Sequence, residues 1–321
     1  MDEFEIIASI FAPLAGEGAF GLQDDAAIIP ARPGFDLVVT TDAIAEGTDF
    51  FAFDPAASVA RKALRVNLSD LAAKGAAPHA YLLGLSLPPS MTPDWLAAFA
   101  AGLQQDQAEF GITLLGGDTG RSEGPLAISI TAFGFVPQGT MVRRDGARAG
   151  DDIYVTGTIG DSGGGLAIFR RETHTLDEAQ RDALTARYRV PPPPVAFGAR
   201  ALRGFASAAA DVSDGLLADL GHVARASGVK LLLDADAIPR SDALRALWGD
   251  DDAAIIRAAT AGDDYQIAFT AASNRHAEVM QAANVCQVVV TRIGQVTAGA
   301  GVELARAGKL LPVQRSGYRH F

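Results

Sequence analysis

The sequence predicts an α/β (α+β) protein of two domains. The chain has 321 residues, 49% of them hydrophobic, which is enough for two ordinary cores. Strand-like apolar runs alternate with helix-like stretches along its length. Near the middle a polar, turn-rich stretch, "RRDGARAGDD" (143–152), interrupts the alternation. It sets the expected domains at 1–148 and 149–321.

Within the first half, residues 3–15 carry Phe4, Ile7, Ile10, Phe11 and Leu14 at helical spacing. "DLVVTTD" (36–42) reads as a buried strand. Ser58 to Lys74 reads as a helix stopped at Gly75, with Pro78 beyond. "YLLGLSLP" (81–88) reads as a strand. Residues 92–111 read as a helix opened by Thr92, with Pro93 in the first turn. "ITLLGGDT" (112–119) and "LAISITAFGFVP" (126–137) are further strands.

In the second half, "IYVTGTIGDSGGGLAIFRR" (153–171) reads as strand, glycine-rich turn and helix. A helical excursion over 173–190 ends at Pro191 to Pro194, a stiff extended stop. "DGLLADLGHVARASGV" (214–229) reads as a helix and "KLLLDAD" (230–236) as a strand. "YQIAFTA" (265–271), another helix and "VCQVVVTRIGQV" (285–296) complete the half.

Composition excludes some function classes. The net charge is −11, with no Lys/Arg-rich run, which argues against a nucleic-acid surface. Phosphate ligands stay open, because bound divalent cations reverse a local charge. The single cysteine, Cys286, cannot form an internal disulfide and reads as a small core residue. The acidic N-terminus lacks a signal-peptide pattern, and no apolar run reaches membrane-spanning length. A soluble cytoplasmic protein is expected.

The chemistry gathers at the ends of apolar segments. Asp24, Asp25, Asp42, Asp70, Asp118, Asp211 and Asp214 each follow or precede one, several of them beside Gly, Ser or Thr. A hard cation such as Mg²⁺ takes this oxygen set, and Thr40 and Thr41 extend it. Histidine and cysteine are nearly absent from these stretches, which disfavours zinc. Each acid alone reads equally as a turn former or cap, and Asp211 and Ser213 could simply cap the 214–227 helix.

"GTIGDSGGG" (157–165) offers N–H groups at a helix start, a natural anion site. It lacks a P-loop ending and reads more readily as a tight glycine turn. His79 is expected in a turn, His174 and His276 in polar stretches, His222 on a helix and His320 near the end. None pairs with a serine or cysteine, which disfavours a hydrolytic nucleophile.

Taken in order, "DDAAII", "TTDAIAEGTDF", "KALRVNLSDLAAKGAAP", "GGDT", "VTGTIGDSGGGLA", "DVSDGLLADLGH", "GDDYQIAF" and "GYRHF" resemble the thiamine-monophosphate kinase family. Its motifs are shared more loosely with aminoimidazole ribonucleotide synthetase, selenophosphate synthetase and a hydrogenase-maturation protein. The resemblance implies a two-domain aminoimidazole ribonucleotide synthetase-like fold, with N-terminal sheets joined across a homodimer. It implies transfer of the γ-phosphoryl group of ATP, with Mg²⁺, onto thiamine monophosphate.

By the same resemblance Asp25, Thr40, Thr41, Asp42, Asp70, Asp118, Asp211 and Asp214 match metal positions. Gly117, Asp118, Arg144 and Ser213 match ATP positions. Asp49, Asp263 and Tyr318 match substrate positions. The residues that would carry catalysis are Asp42, Asp118, Arg144 and Asp211.

Three positions depart from the family pattern. "EGTDF" stands where the family usually has EGVHF, which puts Asp49 in a histidine's place. Gln23 replaces a common glycine. "GDDYQ" replaces GEDYE, with Asp263 one methylene shorter than glutamate and Gln266 uncharged. Asp49 motivates one alternative, the same scaffold acting on a different small phosphate acceptor. An amidine-forming synthetase and a noncatalytic Mg-nucleotide-binding dimer are the others.

Overall fold

The computed structural model describes residues 3–172 and 175–318. His174, His320 and the rest of the tail after Tyr318 lie outside them. The chain divides into two compact units. One joins residues up to Leu71 with Ala76–Thr140, and the other joins Ala72–Gly75 with Met141 onward.

In the first unit, α1 (Glu3–Ile6) runs into a π turn (Ile7–Phe11) and a 3₁₀ turn (Ala12–Leu14). The helix expected over 3–15 is therefore a composite. Pro13 sits in its last turn, where the ring removes an N–H that a continuing α-helix would use.

A four-stranded sheet follows, made of β1 (Phe35–Ala45), β2 (Ala77–Leu87), β3 (Thr113–Arg121) and β4 (Ala127–Pro137). Its order is β1-β4-β2-β3, antiparallel except for the β2–β3 pair. Helices α2 (Ala56–Ala73) and α3 (Pro93–Phe110) complete the unit. Thr92 caps α3 by accepting the Trp95 N–H, with Pro93 in the first turn. The helices touch at Gly102, where a Cβ would come within 2.4 Å of the Ala57 carbonyl.

β1 differs from its expectation as a buried strand. It lies at the sheet edge, with Val38 and Ile44 buried but Phe35, Leu37 and Val39 at 49%, 44% and 54% exposure. Alternation puts these on opposite faces, so the second row is open to solvent along β1. His79, expected in a turn, lies on β2 and faces Arg32.

The second unit holds a seven-stranded sheet in the order β11-β10-β7-β9-β5-β8-β6. Its strands are β5 (Asp151–Thr156), β6 (Ala206–Asp211), β7 (Lys230–Asp234), β8 (Ile267–Ala272), β9 (Val290–Thr297), β10 (Gly301–Arg306) and β11 (Lys309–Leu310). Around it are α4 (Asp161–Phe169), α5 (Glu178–Arg189), α6 (Val195–Arg200), α7 (Leu216–Ser227), α8 (Asp242–Trp248), α9 (Asp252–Ala259) and α10 (His276–Val285).

One core joins Ile153, Leu231 and Ile293 of the sheet to Leu216, Leu220 and Val223 of α7 and Ile255 of α9. Elsewhere Tyr154 and Phe269 stack, and Phe197 and Phe205 tilt against Phe269. Cys286 is a correction. It is half-buried at the end of α10, beside Val285 and Val289 at 77% and 69% exposure. The apolar run is broken there by Gln287 at φ +54°, so the strand starts only at Val290. Among the described residues no helix is long and apolar enough to cross a membrane.

Candidate active site

In the first unit, strand alternation sends the side chains of Thr40 and Asp42 to the same face of β1. Thr40 Oγ1 donates to Asp70 Oδ2 of α2 at 2.5 Å. Asp42 lies close to Asp70, and its pKa is pushed up to about 6. Dehydration is the main cause, followed by the charge of Asp70 and then that of Asp49. Solvent still reaches Asp42, but the neighbouring acids hold it in a field that favours a proton or a cation.

Asp49 closes the turn at the end of β1. Its Oδ2 accepts the Ala45 N–H at 2.8 Å, and its carbonyl accepts the ammonium of Lys62 at 2.7 Å. Lys62 is 1% exposed, so this contact compensates a cation inside α2.

Thr41 points the other way. Its hydroxyl donates to the Ile130 carbonyl and accepts from Thr131, both at 3.1 Å. Thr131 helps line a cavity of about 810 Å³, together with Asp24, Asp25, Leu82, Gly117 and Asp118. The side chains of the two threonines are thus divided by the sheet. Thr40 joins Asp42 and Asp70, while Thr41 adjoins the cavity of Asp25 and Asp118. At Gly117 any Cβ would lie 1.8 Å from the Leu83 carbonyl.

In the second unit, three sequence-distant segments meet at the start of α7. Asp211 ends β6 and is 4% exposed. Asp263 donates its N–H to the Ser213 carbonyl at 2.7 Å, and Tyr318 donates its N–H to the Asp214 carbonyl at 2.9 Å. Ser213, Asp214, Asp263 and Tyr318 are thereby gathered in one place. Arg144 is close enough to depress the pKa of His222 on α7, after burial and together with Arg225, against the pull of Asp214.

The expected capping of α7 by Asp211 and Ser213 is replaced by another device. Gly215 is the N-cap and offers no side-chain bond. Instead Asp219, from inside the helix, accepts the N–H groups of Ser213, Asp214 and Gly215 at 3.0, 3.0 and 3.1 Å. Burial, then the charge of Asp214, push Asp219 up to about 7, while the three donors pull the other way. The sequence reading missed Asp219. Its signal was an acid on the apolar face of α7, between the buried Leu216 and Leu220.

Asp264 was missed too. The tight glycine turn read at "GTIGDSGGG" is present, and the protein's own Asp264 takes the N–H groups that an anion could have used. Asp264 accepts the N–H of Gly160 at 2.7 Å and that of Ser162 at 3.4 Å, at the start of α4. Its burial raises its pKa well above the usual carboxylate value. Gly157 and Gly160 adopt φ +60° and +90°, the left-handed turn that glycine permits.

The residues fit a hard divalent cation. Thr40, Asp42 and Asp70 bring oxygen donors together, and the two carboxylates repel unless a proton or cation lies between them. Asp214, Asp219 and His222 form a second group, with ligand atoms within 4.8 Å of one another.

Comparison with known proteins defines the class first. Residues 23–136 match the family "AIR synthase related protein, N-terminal domain", and residues 148–306 match its C-terminal domain. Thiamine-monophosphate kinase of Caulobacter vibrioides is 42% identical over 324 residues, covering 99% of this chain and 90% of the relative. A crystal structure of thiamine-monophosphate kinase from Stenotrophomonas maltophilia K279a superposes with a TM-score of 0.82 at 44% identity, covering 90% of this chain and 91% of that one. A further solved structure, "AaThiL complexed with AMPPCP and TMP", has a TM-score of 0.80 at 31% identity, covering 99% and 97%. The chain belongs to the thiamine-monophosphate kinase family.

Proposed function

We propose that this chain transfers the γ-phosphoryl group of ATP to thiamine monophosphate, giving thiamine diphosphate and ADP. The observation that carries this reading is its near full-length likeness to a relative solved with AMPPCP and TMP. Asp25, Thr40, Thr41, Asp42, Asp70, Asp118, Asp211 and Asp214 would hold Mg²⁺. When bound, Mg²⁺ neutralises phosphate charge and steadies the oxygens of the transfer.

The remaining roles belong to the chain. Gly117, Asp118, Arg144 and Ser213 would bind the nucleotide. Arg144 would offset the repulsion between two anionic reactants. Asp49, Asp263 and Tyr318 would face the acceptor, and the Tyr318 ring suits a cationic thiazolium. The acceptor oxygen is ionised at neutral pH, so the reaction needs no strong base. That agrees with a site built from carboxylates and backbone donors, where positioning does most of the catalysis.

The exposed row of Phe35, Leu37 and Val39 supports a homodimer joined through the first unit's sheet. A cytoplasmic location fits an ATP-consuming enzyme with one cysteine. The reading with a different phosphate acceptor rested on Asp49. Its bond to the Ala45 N–H gives that acid a local role, which weakens the alternative.

The test is ADP release by the purified protein with ATP and Mg²⁺, with and without thiamine monophosphate, and identification of thiamine diphosphate. Acceptor-dependent ADP with that product is expected. ADP that ignores the acceptor would overturn the reading.

A further inference from the structure

The segment Asp263–Gln266 holds a backbone that its residues do not favour. Asp263 and Tyr265 adopt φ +62° and +50°, a left-handed conformation that is costly for a residue with a Cβ, and most of all for a bulky one. Between them Asp264 turns inward, 5% exposed, and accepts the N–H groups of Gly160 and Ser162. The reversed residues point their own N–H groups the other way. Asp263 donates to Ser213 and Tyr265 donates to Val212, at 2.7 and 2.8 Å. The phenol of Tyr265 returns to Asp263 Oδ1 at 3.2 Å.

We propose that Asp264 is the positioning residue for Asp263: its carboxylate, seated on the N-terminal turn of α4, holds the reversed backbone that aims the Asp263 carboxylate at the acceptor. The inference rests on the proposed function only through the role of Asp263 toward the acceptor. Strain of this kind persists where the surroundings over-determine it, and three separate anchors do so here. They are α4 through Asp264, the strand extension at Val212 and Ser213, and the Gln266 side chain. Gln266 accepts from the Thr156 hydroxyl at 2.9 Å and donates to the Pro192 carbonyl at 3.1 Å.

Removing the first anchor releases the loop without touching the ligand positions themselves. An asparagine at 264 keeps one oxygen acceptor but turns an NH₂ group toward the second backbone donor, so one of the two bonds is lost. The shorter acid at 263 makes this aim more demanding, because it has one fewer rotatable bond with which to correct an error.

The experiment is Asp264→Asn in the full chain. KM is measured separately for thiamine monophosphate and ATP, and amide exchange is followed at Asp263 and Tyr265. The acceptor KM should rise roughly ten-fold, as expected for one buried hydrogen bond lost, with the ATP KM nearly unchanged and exchange at both amides faster. A purely structural cap would raise both KM values together or neither, and either pattern overturns the proposal. Unchanged exchange also overturns it.

If Asp264→Asn does not fold, Asp264→Glu keeps the acid but moves it one methylene out of register with the Gly160 and Ser162 N–H groups. It should raise the acceptor KM alone, and an unchanged acceptor KM would overturn the proposal. If the unaltered protein makes no thiamine diphosphate, the proposed function falls, while the exchange rates still decide whether Asp264 holds the loop.

Discussion

Thr40 and Asp70 are joined by a hydrogen bond that ties the middle of β1 to the last turn of α2. The bond orients one carboxylate, while Asp42, two residues along the strand, supplies a second. Both elements are held independently, β1 by its pairing with β4 and α2 by burial along most of its length. The oxygen cluster is therefore fixed before any cation arrives.

Asp42→Asn removes a negative donor without changing side-chain volume. Thiamine diphosphate formation at saturating Mg²⁺ should fall on the order of 100-fold or more, with a melting temperature equal to or above that of the parent, since a repulsive neighbour of Asp70 is gone. Turnover within a factor of two of the parent would remove Asp42 from the metal set.

Asp219→Ala should act differently. It leaves the N–H groups of Ser213, Asp214 and Gly215 without their acceptor, at a cost of about 1–3 kcal/mol in unfolding free energy. Because Ser213 is a nucleotide position in the proposed function, the ATP KM should rise as well. Denaturant unfolding and ATP titration together check both parts.

Leu37→Glu introduces a charge into the exposed apolar row of β1. If that row is the dimer face, sedimentation equilibrium should report half the parent mass at the same concentration. A parent that is already monomeric would sink this expectation.

The pH dependence follows from Tyr154. Burial, then the charge of Asp152, push its phenol up to about 12. The folded protein therefore keeps a proton that the unfolded chain, titrating near 10, has released. Stability should fall as pH rises from about 10 to about 12, by on the order of 2 kcal/mol from this residue. Tyr154→Phe cannot lose this contribution. It should be about 1 kcal/mol less stable than the parent at neutral pH, having lost the bond to His276, and the gap should close as the solution becomes alkaline. Urea unfolding of both proteins across that range decides it.

The fold was legible where local chemistry is strong. Thr92 and Pro93 announce the start of α3, and Gly75 marks the end of α2. The π and 3₁₀ turns after Ile6 and the edge position of β1 were not, because hydrophobicity alone does not say which strand has a neighbour. At the candidate site, acids at strand ends were visible as a pattern. That Thr40 and Thr41 divide between faces follows from alternation once the strand is known. Asp219 and Asp264 escaped because each serves backbone groups brought to it by folding, and no spacing in the sequence records that meeting.

The three glycines of "GGDTG" differ in how much change they tolerate. A methyl group at Gly116 would meet only Leu82 at ordinary contact, 3.6 Å away, and at Gly120 it would meet nothing within 4 Å. At Gly117 it would collide with the Leu83 carbonyl, a backbone atom held in the sheet. Random substitution across this motif should therefore return many residues at 116 and 120 but glycine alone at 117. A recombination or library design that treats the motif as one block would miss that its middle glycine alone is irreplaceable.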